Sequence, residues 1–280
     1  MDTLARLVAP KLAEDLGRPV IVENKPGAGG VIASDFVAKG PADGNTLLVT
    51  ATGFAINSTM SRNLPYDTLK DFAAVANAVS APQVLVVHRS VPANTVTELV
   101  DYARANPGFA FASIGAGSLS HLTLEMFKSA SKVNIIHVPY KGATPAVADL
   151  LAGHVKAGFF VGANVMPYVK SGQLKALAST GRTRSASAPT VPTMVESGFH
   201  NFDVVAWIGF MVKAGTPEQK IHSLNQQILS ALDSKDVRDR LLADGFEVRG
   251  TTPEEFATMF RSEVNRWGTI VRSIGAVGSN

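Results

Sequence analysis

Short runs of consecutive apolar residues alternate along this chain with stretches whose apolar residues recur every three or four positions. The runs Pro19–Glu23, Thr46–Ala51, Gln83–His88, Phe109–Ser113, Val133–Val138, Val155–Val161, Leu174–Thr180 and Val204–Val212 predict strands. Most are continuously apolar, the pattern of strands covered on both faces. Leu4, Leu7, Val8, Leu12 and Leu16 form a helical stripe that Gly17 ends and that Pro10 is expected to kink. Val96, Leu99, Val100 and Ala103 form a second stripe, and Ile221, Leu224, Ile228 and Leu232 a third. A long final helix follows Phe256, Phe260, Val264, Trp267, Val271 and Ile274. Thr95 with Glu98, Thr216 with Gln219 and Thr252 with Glu255 predict capping boxes, with Pro217 and Pro253 at the first helical position. This order is that of an α/β protein with mostly parallel sheets.

A length of 280 residues makes two domains the first expectation. No Ser/Gly linker separates them, so short crossings would join them. A hydrophobic content of 46% against 18% charged excludes a disordered chain. The absence of cysteine excludes disulfides, thiolate nucleophiles and Cys-based metal or iron–sulfur sites. The net charge of +3 is scattered, and its densest stretch, Arg182 with Arg184, contains no aromatic residue. A nucleic-acid surface needs a clustered basic stripe, so nucleic acid is not an expected partner. The longest uncharged run, between Asp71 and Arg89, is broken by Asn77, Ser80, Pro82 and Gln83. Direct membrane insertion is therefore not expected. The opening Met1-Asp2-Thr3-Leu4-Ala5-Arg6 is not a secretory signal.

The six histidines, His88, His121, His137, His154, His200 and His222, form no metal-ligand pair, and no cofactor is predicted. There is no Gly-x-Ser-x-Gly elbow and no P-loop lysine. Gly115-Ala116-Gly117-Ser118-Leu119-Ser120 approaches the dinucleotide fingerprint, but Ser120 replaces its third glycine and no suitably placed acid follows. What remains is a set of strand–turn–helix junctions. Phe109–Ser113 runs through Gly115, Ala116, Gly117 and Ser118 into a helix carrying His121. Backbone N–H groups there, with the hydroxyls of Ser118 and Ser120, would suit an anion. Val133–Val138 runs into Pro139-Tyr140-Lys141-Gly142, where Thr144 would cap the next helix and Tyr140 and Lys141 would supply a donor and a positive charge. Thr52-Gly53-Phe54 and Pro26-Gly27-Ala28-Gly29-Gly30 are two further turns. Trp207 reads either as a core residue or as a ligand contact. These cradles come with no nucleophile pair or metal cluster, so binding without chemistry is the economical reading.

Several runs resemble one family. They include Ala5-Arg6-Leu7-Val8-Ala9-Pro10-Lys11-Leu12, Val22-Glu23-Asn24-Lys25-Pro26-Gly27-Ala28-Gly29-Gly30, Ala42-Asp43-Gly44-Asn45-Thr46-Leu47-Leu48 and Leu64-Pro65-Tyr66-Asp67. Gly117-Ser118 with His121-Leu122, His137-Val138-Pro139-Tyr140-Lys141-Gly142, Val191–Gly198 and Ala206-Trp207-Ile208-Gly209-Phe210 continue the match in order. The chain resembles the Bug or TctC-type solute-binding proteins, the periplasmic receptors of tripartite tricarboxylate transporters.

The resemblance implies a periplasmic-binding-protein fold of type II, a flytrap of two α/β domains with two crossing strands, Gln83–His88 and Val204–Val212. Domain 1 would be residues 1–90 plus 204–280, and domain 2 residues 91–203. It implies a ligand carboxylate held by Ser113 through His121 and by Pro139 to Gly142, with Thr52, Gly53 and the loop ending at Asp2 as the facing wall. Amino-acid binders of this kind place an Asp where Phe160 stands here, which leans the ligand towards mono- or dicarboxylates. Family members also begin with a strand and loop, preceded by a signal peptide, that this sequence lacks. An N-terminal truncation would leave an open slot between Val20–Glu23 and Thr46–Ala51. The implied function is a non-catalytic periplasmic receptor for a small organic carboxylate, whose closure is read by a membrane permease. The alternatives are a ligand-sensing subunit for a signalling partner, or a small-acid lyase or transferase with His121 as base and no acid to orient it.

Overall fold

A computed structural model describes residues 1–185, 188–200 and 202–278. The helices are α1 (Asp2–Leu16), α2 (Val31–Lys39), α3 (Thr52–Met60), α4 (Val96–Ala105), α5 (Leu119–Ser131), α6 (Ala143–Ala152), α7 (Gly162–Lys170), α8 (Glu218–Asp233), α9 (Lys235–Ala243) and α10 (Pro253–Ser273). The strands are β1 (Leu48–Ala51), β2 (Phe72–His88), β3 (Ala110–Ser113), β4 (Ile136–Pro139), β5 (Ala157–Val161), β6 (Leu174–Ser179), β7 (Val205–Lys213) and β8 (Glu247–Val248). The chain divides into unit 1, Met1–Ser80 with Trp207–Asn280, and unit 2, Ala81–Ala206. Both divisions fall inside strands, β2 and β7, and not at the 90/91 and 203/204 boundaries expected from the sequence.

In unit 1 the sheet runs β1–β7–β2, with β8 on the far side of β2. One face is covered by α1, α8 and α9, whose Leu4, Val8, Leu12, Leu224, Ile228 and Leu241 bury against Val75 and Val79 of β2. Each such side chain contributes about 1.5–3 kcal/mol by leaving water. Elsewhere in unit 1 the α3 residue Phe54 stacks on Phe260 of α10, 5.5 Å between centroids. Trp207 stands edge-on to Phe256 and Phe260.

In unit 2 the order is β6–β2–β5–β3–β4. Parallel ladders join β3 with β4 and β3 with β5, and an isolated parallel bridge joins Ser179 to Thr193. The expectation of mostly parallel sheets is therefore corrected: β2 crosses between units and runs antiparallel to β5, β6 and β8. Val147, Leu150, Phe160 and Val165 bury against Val84 and Val86. Phe111, Phe127 and Phe159 form an aromatic cluster continued by Phe199 and Phe202.

Several local expectations are corrected. Pro19–Glu23 is not a strand: residues 19–26 make no backbone–backbone hydrogen bond with any described residue, and Ile21 is 86% exposed. That segment is not paired with β1, whose described partner is β7 alone. Helix α1 runs on through the exposed Pro10 and ends at Gly17 in the left-handed region, φ 62°. Of the three expected capping boxes, the one at α10 is reciprocal. At α4, Thr95 caps the Glu98 amide while Glu98 accepts from Asn94 and not from Thr95. At α8, Pro217 is the N-cap and the Thr216 hydroxyl turns back to Lys213 O. Thr144 does not cap α6, which starts at Ala143 behind Gly142.

Candidate functional site

Strands β5, β3 and β4 are parallel neighbours through β3, so their carboxyl ends lie along one edge of the unit 2 sheet. Each turns there into a helix: β3 into α5, β4 into α6, β5 into α7. Two loop contacts extend the β3–β4 ladder past its end, Tyr140 N–H to Ser113 O at 3.0 Å and Gly142 N–H to Ile114 O at 3.1 Å. The α5 and α6 starts are thereby held side by side. Gly115 and Gly142 take φ of 148° and 108°, which other residues rarely adopt.

The hydroxyls expected to meet an anion are used within the loop. Ser113 is fully buried. Its Oγ accepts the Gly115 amide at 3.2 Å, donates to Gly115 O at 3.1 Å, and lies 2.6 Å from Nε2 of His137. One assignment satisfies all three contacts, with His137 donating from Nε2. Ser118 caps α5, accepting the His121 amide, and its Oγ donates to Gly115 O at 2.6 Å. Ser120 accepts the Ile114 amide at 3.0 Å. Gly117 N–H is taken by Nδ1 of His121, also at 3.0 Å.

Backbone donors remain. The amides of Ala116, Leu119 and Ser120 at the α5 start have no acceptor among the described residues, nor do those of Lys141, Ala143 and Thr144 at the α6 start. Helix α6 has no side-chain cap, and neither has α7 behind Val161. Unsatisfied N–H groups at helix starts carry the positive end of the helix dipole, which favours an anion. The Lys141 side chain is exposed, with no ion pair among the described residues. The α7 start was not singled out from the sequence; the turn Val161-Gly162 directly after an apolar strand was its only signal.

Other candidates have structural roles. The Tyr140 hydroxyl donates to Asp149 at 2.7 Å, and burial with that carboxylate pushes its pKa up to about 12. Pro139 closes β4 opposite Ser113. Phe160 is 1% exposed within the core of unit 2. His121 lies flat on His137, 4.0 Å apart, and burial pushes the His137 pKa down to about 4. The acid missing from the sequence reading of His121 is Glu125, 3.8 Å from Nε2, but it pairs with Lys128 at 2.9 Å. His121 therefore holds the loop with one nitrogen and faces an engaged carboxylate with the other.

In unit 1, α3 begins directly at the end of β1 behind Ala51, with no side-chain cap. The amides of Gly53 and Phe54 have no acceptor among the described residues. Thr52 Oγ1 accepts the Trp207 amide at 2.9 Å, which fixes β7 against this helix start. Trp207 is 3% exposed, and its indole N–H has no partner among the described residues. Asp2 opens α1, and its carboxylate is held by Arg6 and Asn24, which keep its pKa below the usual carboxylate range. The Pro26–Gly30 turn follows no strand; Asn57 anchors it by donating to Gly29 O at 3.1 Å.

The family model for the tripartite tricarboxylate transporter family receptor, TctC, matches residues 4–276. The chain belongs to this family. BugT of Bordetella pertussis is 37% identical over 98% of this chain and 85% of its own length. A protein from the tcbD-tcbE intergenic region of Pseudomonas sp. is 36% identical over 97% of this chain and 81% of its own. Among solved structures, R. palustris Rpa4515 with adipate superposes at TM-score 0.86, with 32% identity, covering 98% of this chain and 92% of that one. MatC from Rhodopseudomonas palustris with bound malate superposes at 0.82, with 33% identity, covering 96% and 94%. The TctC fold is thus that of two-domain periplasmic binding proteins, and this member is a solute-binding receptor, not an enzyme. No helix among the described residues is long and apolar enough to cross a membrane.

Proposed function

We propose that this receptor captures a small organic carboxylate in the periplasm and delivers it to the permease of a tripartite tricarboxylate transporter. The observation that carries the reading is the set of unsatisfied backbone donors at the α5 and α6 starts, Ala116, Leu119, Ser120, Ala143 and Thr144. Carboxylate oxygens match such donors in charge and in hydrogen-bonding capacity. Lys141 adds an exposed positive charge. In unit 1 the α3 start, with exposed Gly53, offers a second uncapped set. The similar structures with adipate and with bound malate support this ligand class. Phe160 stands where the resemblance places the acid of amino-acid binders and is packed into the core, so no carboxylate at that position pairs an ammonium, which favours a ligand without an amino group.

Thermal shift with mono- and dicarboxylates of four to eight carbons, including malate and adipate, tests the reading. An acid present at 100 times its Kd should stabilise the fold by about 2.7 kcal/mol. No shift with any member of the panel would overturn it. Co-purification of the ligand-loaded receptor with a two-component kinase ectodomain, and not with a permease, would overturn the transport half.

A further inference from the structure

The chain leaves unit 1 between Ser80 and Ala81 and returns between Ala206 and Trp207. Just inside unit 2, both passages meet Thr180, which is fully buried. Its amide donates to Gln83 O at 2.8 Å, and its carbonyl accepts from the Val204 amide at 2.9 Å. Its hydroxyl accepts the Gln83 amide at 2.9 Å and donates to Val204 O. All the hydrogen-bonding groups of Thr180 are thus used on the outgoing and returning strands, two on each.

Gln83 continues the line towards the helix starts. Its side chain is buried, and its Oε1 lies 2.6 Å from Oγ1 of Thr123, in the second turn of α5. The same Thr123 hydroxyl lies 2.7 Å from Leu119 O. One hydroxyl proton serves one of these oxygens at a time. The Leu119 carbonyl belongs to the same peptide group as the Ser120 N–H, one of the unsatisfied donors. An anion accepting from that N–H would polarise the carbonyl and make it the stronger acceptor.

We propose that Thr180 clamps the two interunit passages into a single mechanical element, and that the Thr123–Gln83 contact ties this element to the α5 helix start. Occupancy of that start would draw the Thr123 proton to Leu119 O and release Gln83. The clamp and the tie stand on the hydrogen bonds alone; only this last step rests on the carboxylate-receptor reading.

Amide hydrogen exchange of the full chain, measured by NMR without ligand, tests the clamp and the tie. In the wild type the Gln83 and Val204 amides should open with the same exchange free energy and denaturant dependence. Thr180→Val keeps the shape and removes only the hydroxyl. It should speed exchange at both amides by at least about fivefold, the equivalent of one hydrogen bond. The amide of Phe111 in β3 should be unchanged, and Thr180→Ser should restore both rates. Thr123→Val should speed exchange at Gln83 and Val204 together, and Thr123→Ser should not. Acceleration at Gln83 alone, or at neither residue, would overturn the clamp, and no response to Thr123→Val would overturn the tie. If Thr180→Val does not fold, unequal opening of Gln83 and Val204 in the wild type overturns the clamp and equal opening supports it. Because no ligand is present, failure here is distinct from failure of the carboxylate reading.

Discussion

The imidazole of His121 lies flat on that of His137, with 4.0 Å between ring centres and 9° between planes. Both rings support the α5 start, His121 through the Gly117 amide and His137 through the Ser113 hydroxyl. Burial lowers the pKa of each, and the charge of one opposes protonation of the other.

Stability should therefore fall in acid. His137 titrates at about 4 in the folded chain against 6.5 when unperturbed, so between these values the unfolded chain binds more protons. Stability then rises with pH across that window. The contribution is fully present above 6.5 and lost as pH falls through about 4; His121 acts in the same direction. Denaturant titrations from pH 4 to 8 check this. His137→Asn should flatten the dependence, and a wild-type-minus-variant difference that ignores pH would contradict it.

Leu119→Pro deletes one backbone donor without breaking the helix. Proline is tolerated at the first helical position, and Ser118 before it already has the extended backbone that a proline requires, with ψ 162°. Carboxylate affinity should fall about tenfold, the cost of one charge-assisted hydrogen bond, with little change in Tm. Calorimetric titration measures both affinity and competence. Unchanged affinity would remove Leu119 N–H from the site.

Ser113→Ala leaves the Gly115 amide and His137 without their shared partner in a fully buried position. It should cost about 1–3 kcal/mol of unfolding free energy. Equilibrium denaturation checks the magnitude. A neutral result would mean that the loop's other hydrogen bonds hold it without Ser113.

Gly53→Ala separates binding from stability. A methyl group there would meet no atom within 4 Å, and the backbone needs no left-handed φ. Stability should hold or rise by up to about 1 kcal/mol through helix propensity. Any loss of carboxylate affinity then reports close approach of ligand to this backbone. Equal affinity would exclude Gly53 from the contact surface.

The strands were legible where burial on both faces left a bare apolar signature, as in Phe109–Ser113. The first half of β2 was not, because Asn77 and Ser80 look like breakers. The fold gives each a partner remote in sequence: Thr251 for the Asn77 amide and Arg249 for the Ser80 hydroxyl. Helix α3 was hidden because Thr52-Gly53 reads as a turn when the strand and helix abut without a loop. The loop residues Gly115 to His121 were visible in the sequence, but the division of labour among them was not. Which hydroxyls close the loop, and which amides stay open, depends on the β3–β4 register that sets Ser113 beside His137.

The most direct test of the central claim is an amide NMR titration of the full chain with the best acid from the thermal-shift panel. Binding should move the resonances of Ala116, Leu119, Ser120, Ala143 and Thr144 downfield and protect them from exchange. Gly117 should keep its bond to His121 and shift little. An acid that binds while those five amides stay unchanged would contradict the account.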